Sequence, residues 1–106
     1  MKHPLLNPNS KHYHEDGEKP CIQQFEEWYS PMKMRNWAEV TMNKYQCRLG
    51  KKRGTDDETK IKTFYDYIVF LDTQIIPTYM EMLEGNDDPT TVQVYKALGI
   101  EMDYTL

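Results

Sequence analysis

The sequence predicts an all-α fold of three to four helices with an extended N-terminal arm, assembled as a homo-oligomer. Three observations point there. Apolar residues recur at spacings of three and four through the middle of the chain. Helix-start and helix-stop signals punctuate those stretches. Three of the six prolines fall in residues 1–20, among Asn7, Asn9, Ser10 and Gly17. With 106 residues there is room for one small core. The expected organisation is therefore a single domain over 1–106, an arm at 1–20 and a helical body at 21–106.

The arm reads as extended chain with turns, although Leu5, Leu6 and Tyr13 give it residues to pack. A first helix is expected over about 21–29, with Pro20 in its first turn and Ile22, Phe25 and Tyr29 on one face. Ser30-Pro31 ends it and opens the next, Ser30 as N-cap and Pro31 at the first position. Helix two, 31–48, carries Met34, Trp37, Ala38, Thr41, Met42, Tyr45 and Leu49 as one stripe, and Gly50 stops it. Thr55-Asp56-Asp57-Glu58 reads as a capping box, Thr55 at N-cap and Glu58 at N3.

Helix three then shows Ile61, Phe64, Tyr65, Ile68, Leu71, Ile75, Tyr79 and Met82 on one face, up to a stop at Gly85-Asn86. Such a helix is about 43 Å long at 1.5 Å per residue. A domain of this size has a radius of gyration of about 13 Å, so the helix overhangs. Either Pro77 breaks it or a second subunit covers it; Ile76, Val69 and Phe70 favour the second reading. Asp88-Pro89 is expected to open a last helix with Val92, Tyr95 and Leu98, stopped by Gly99. Thr91–Tyr95 as an edge strand is the alternative.

Net charge is −4, which argues against bulk nucleic-acid binding. It is unevenly spread. Residues 1–43 hold five Lys/Arg and six Asp/Glu, residues 44–62 seven and three, and residues 63–106 one and eight. A short basic focus in an acidic chain suits a small anion. No apolar run reaches the roughly 18–20 residues of a membrane span, so no membrane partner is expected. The start lacks the apolar stretch of a signal peptide, and Cys21 and Cys47 read as reduced thiols; both point to the cytoplasm.

The standard phosphate-loop, dinucleotide, hydrolase and zinc-protease patterns are missing. His12, His14, Glu15 and Asp16 lack further ligands at metal spacing and read as a polar arm, so no metal site is expected. The sharpest feature is Lys44-Tyr45-Gln46-Cys47-Arg48-Leu49-Gly50-Lys51-Lys52-Arg53. Lys44 and Arg48 share a helix face, and Lys51 and Lys52 lie just beyond its end. Together they can clamp a phosphate. Tyr45, Trp37 or Tyr13 can offer a stacking platform. The plainer reading is that these cations cap the helix C-terminus and stay solvated. Asp57 and Lys60 form either a surface pair or a second wall of the same pocket.

His12-Tyr13, Lys44-Tyr45-x-x-Arg48-x-Gly50-Lys51-Lys52 and Asp57-x-x-Lys60 together resemble a small tailed-phage family. Its pattern is HY, then KYxxRxGKK, then DLxKAxxYL. The family is largely of unknown function, and some members are described as nucleotide kinases without a phosphate loop. The similarity covers about residues 7–72. It departs at Val40-Thr41-Met42-Asn43, where the family has Gly-Asn-Ala-Ile, and at Glu58, where it has Leu. The resemblance implies a nucleotide or nucleotide-derived phosphorylated ligand, in the cytoplasm of an infected bacterial host. Lys44, Arg48, Lys51, Lys52 and Lys60 would bind phosphate; His12, Tyr13, Tyr45 and Asp57 would position base or ribose. Binding without turnover is the primary expectation, with no cofactor, and sequestration of a host immune nucleotide signal its expected use. The enzyme alternative is a nucleoside monophosphate kinase, which would need Mg²⁺, held by Asp56, Asp57 and Glu58. The third reading is an inhibitor of a host enzyme, in which the acidic C-terminal third mimics nucleic-acid charge.

Overall fold

The computed structural model describes residues 1–6, 20–51 and 56–105. The fold is all-α. α1 (Cys21–Trp28) and α2 (Pro31–Arg48) are followed by α3 (Asp57–Phe70), a π-helical turn (Leu71–Ile75), α4 (Ile76–Glu84) and α5 (Thr91–Leu98). Because α3, the π turn and α4 keep helical backbone angles throughout, they form one rod, giving four helical rods among the described residues. The molecule measures 48 × 31 × 19 Å, with a radius of gyration of 14.4 Å.

α2 forms where its signals place it. The Ser30 hydroxyl accepts from Lys33 N (3.3 Å), Pro31 sits in the first turn, and Gly50 adopts φ +76° beyond the end. Met34, Ala38 and Tyr45 point into the core; Trp37 and Met42 are half-buried. Leu49, expected on that stripe, is the C-cap and lies exposed. α1 ends at Trp28, with Tyr29 extended. Its inward face is Ile22 and Glu26; Phe25 is half-buried and Tyr29 exposed, so the face is turned from the one expected.

α3 is capped by Asp56, whose carboxylate accepts from Thr59 N (3.2 Å). The expected Thr55 cap lies outside the described residues. The rod runs to Glu84 without breaking at Pro77. The π turn explains this. Ile76 N–H reaches back five residues to Leu71 O, so the ladder is already re-registered where proline brings no N–H. Arg35 of α2 braces the turn by contacting both Asp72 Oδ1 (3.2 Å) and Glu39. Phe64, Ile68, Leu71, Ile75 and Tyr79 are buried as expected, and so are Tyr67 and Phe70. Tyr65 is not: it faces solvent at 57% exposure.

α5 is a helix, not an edge strand. It starts two residues later than expected, at a capping box between Thr90 and Gln93. Asp88, the expected cap, instead accepts from the Tyr79 hydroxyl at 2.7 Å. The buried face is therefore Thr91, Val94 and Tyr95, with Leu98 exposed; Gly99 closes the helix at φ +73°. Thr91 docks α5 onto the end of α1, since its N–H and hydroxyl both donate to Tyr29 O at 2.8 Å.

The first residues of the arm are tied down. Lys2 pairs in parallel with Asp103, His3 N donates to Asp103 O (3.0 Å), and His3, Leu5 and Leu6 are buried.

Candidate functional site

The basic segment converges where α2 ends and α3 begins. α2 leads Lys44 and Arg48 along one face, one turn apart. α3, packed antiparallel beside it, brings Asp57 and Lys60 back to the same place. The Lys44 and Lys60 ammonium groups each stand 5.1 Å from the centre of the Tyr45 ring, and the Arg48 guanidinium 5.6 Å. Three cations from two helices thus surround one aromatic ring, within the range where its quadrupole attracts them.

Asp57 is buried, and its Oδ1 lies 3.7 Å from Arg48 Nη2, an ion-pair contact longer than a hydrogen bond. As the first residue of α3 it also faces the positive end of the helix dipole. The Arg48 side chain is 30% exposed, yet its Nε is buried and makes no hydrogen bond with the described residues. Lys51 is exposed, with its main-chain N–H donating to Arg48 O (2.9 Å). Lys52, His12 and Tyr13 lie outside the described residues, so the structure brings together Lys44, Tyr45, Arg48, Asp57 and Lys60 of the expected set.

Tyr45 corrects one expectation. At 5% exposure, packed on Phe64 (6.0 Å) and roofed by cations, it is no open stacking platform. Its position on the buried stripe of α2 decides this. Trp37 is held edge-on between Phe25 (6.0 Å) and Phe64 (5.5 Å) and is half-buried.

A second polar constellation lies outside the set expected from the sequence. Glu26 is completely buried and accepts hydrogen bonds from the hydroxyls of Tyr67 (2.6 Å), Tyr95 (2.6 Å) and Tyr104 (2.7 Å). His3 Nε2 lies 3.1 Å from Glu26 Oε2, too oblique for a hydrogen bond, while its Nδ1 accepts from Leu5 N–H (3.1 Å). Burial pushes the Glu26 carboxyl up. The His3 imidazole and the tyrosine hydroxyls outweigh that and hold it below the usual carboxylate range. The same burial, with the carboxylate beside them, raises Tyr67, Tyr95 and Tyr104 well above ordinary phenols. The one signal in the sequence is that Glu26 stands four residues after Ile22, on the inward face of α1.

A third feature is a cavity of about 340 Å³ between α1 and α2, lined by Phe25, Tyr29, Lys33, Met34 and Trp37. Comparison of the chain with protein-family models, with curated proteins and with solved structures gives no match.

Proposed function

We propose that the chain binds a nucleotide or nucleotide-derived phosphorylated ligand at the α2–α3 junction. One observation carries this: Lys44, Arg48 and Lys60 converge around Tyr45, with Asp57 paired to Arg48. A patch in which cations outnumber carboxylates, in a chain of net charge −4, focuses a small anion. Arg48 Nε, a buried donor without a partner among the described residues, supplies a reason for an acceptor to sit there. The resemblance to the tailed-phage family supports a nucleotide over other phosphates. It also supports the setting, the cytoplasm of an infected bacterium, where sequestering a host nucleotide signal would be the use. Binding without turnover fits Asp57, which sits buried against Arg48 rather than facing an open cleft. Self-association of the chain is part of the proposal, supported by outward Tyr65, Val69 and Met80 along the rod.

The test is to incubate the purified chain with a mixed pool of nucleoside mono-, di- and triphosphates and cyclic dinucleotides, then analyse retained and released compounds. Unchanged nucleotide released on heating is the expected result. A new phosphorylated product would replace binding by kinase activity; no retained nucleotide would overturn the reading. Arg48→Ala should weaken retention by about 1.5–3 kcal/mol, roughly 10–150-fold, as a charge-assisted contact is lost. Lys60→Ala should weaken it in the same direction while the melting temperature stays close to wild type.

A further inference from the structure

The cavity between α1 and α2 lies at the far end of an aromatic series, Phe25–Trp37–Phe64–Tyr45, from the cation junction. On α2, Trp37 precedes Arg48 by eleven residues, about 16 Å along the axis. The two places are therefore separate. Phe25 and Trp37 meet at 72° with centroids 6.0 Å apart, so their rings form a corner rather than a closed stack. Met34, buried, is the floor, and its thioether suits contact with an aromatic guest. Tyr29 forms the outer wall, its main chain fixed by the two hydrogen bonds from Thr91. Lys33 stands at the rim, exposed, and its ammonium makes no ion pair or hydrogen bond with the described residues. It lies in the first turn of α2, which holds no acidic residue.

From these features we infer that the cavity is a second binding site, for a small planar aromatic compound carrying one anionic group. The rings select a flat guest, which can stack on one wall and meet the edge of the other. The volume, near the lower end of the roughly 300–1,000 Å³ of small-molecule sites, restricts it to one or two rings. Lys33 selects the charge.

The test uses three probes in calorimetric titration of the full chain: 2-naphthalenesulfonate, the neutral 2-naphthalenemethanol and the non-planar cyclohexanesulfonate. The naphthalenesulfonate should bind most tightly. Lys33→Met should weaken it about fivefold, the size of one exposed charge pair, and leave the alcohol unchanged. Tyr29→Ala should weaken both naphthalene probes. Arg48→Ala should change neither. Equal binding of the cyclohexane probe would overturn the aromatic selection, and an unchanged Lys33→Met would overturn the charge selection. Loss of naphthalenesulfonate binding in Arg48→Ala would move the probe to the cation junction. No binding of any probe at millimolar concentration would overturn the site itself.

Discussion

Glu26 shows what a single charged side chain can organise. A buried carboxylate is expensive unless its oxygens are satisfied, and here three phenols satisfy them. The sign of its pH dependence follows from a carboxyl held below its unfolded value. Its contribution is fully present above about pH 4.5 and is lost as pH falls through the folded value. The raised phenols act at the other limb: their contribution is present below about pH 10 and fades as pH climbs above it. Thermal melts should therefore show a plateau between these limits. Glu26→Gln should lower stability at pH 7 by roughly 1–3 kcal/mol and flatten the acid limb. A variant that melts like wild type, with the same acid limb, would show that other carboxylates set it. Its spacing from Ile22 is the one trace of Glu26 in the sequence, and a weak one, because a charged residue beside an apolar stripe reads as a solvent-facing one. The cation cluster was legible, since Lys44 and Arg48 are one turn apart and Lys60 opens the next helix. The sequence offers Tyr45 two roles, stripe residue and stacking surface, and burial on Phe64 leaves the first.

Among the helices, α2 was legible because its start and stop each have one candidate. Ser30-Pro31 and Gly50 face no competitors. The starts of α3 and α5 were displaced because adjacent residues compete for the cap: Asp56 beside Thr55, and Thr90 two residues past Asp88. Local spacing cannot choose between them; the Tyr79–Asp88 hydrogen bond, nine residues apart, does so for α5. The π turn was hidden for another reason. Leu71, Ile75 and Tyr79 keep a spacing of four across it, which an α-helix also shows. The turn takes up one extra residue. Deleting exposed Gln74 would remove it, restore an α register with α4 kept in phase, and leave Pro77 inside a regular ladder. The expected cost is roughly 3 kcal/mol or more, a fall in melting temperature on the order of 12 °C. Gln74→Ala should be nearly neutral, and a deletion as mild as that substitution would reduce the π turn to a local detail.

At the scale of the molecule, the overhang expected of a long helix is met by the 48 Å axis. Part of the apolar surface that argued for a second subunit is covered within the chain, where Phe70 and Ile75 are buried. Tyr65, Val69 and Met80 remain outward, at 57%, 40% and 47% exposure. Sedimentation at micromolar concentration should give a mass above the 12.7 kDa of one chain, and Val69→Lys should reduce it to that value with little change in melting temperature. A wild-type particle of 12.7 kDa would end the case for self-association. The Glu26 centre has one more consequence, for the order of assembly. Its partners arrive from 41, 69 and 78 residues away along the chain. Helices can form early from local contacts, but their closure over α1 strands a bare carboxylate until the last tyrosine arrives. Half-built intermediates that desolvate α1 are penalised, and the chain is left with a choice between open and complete.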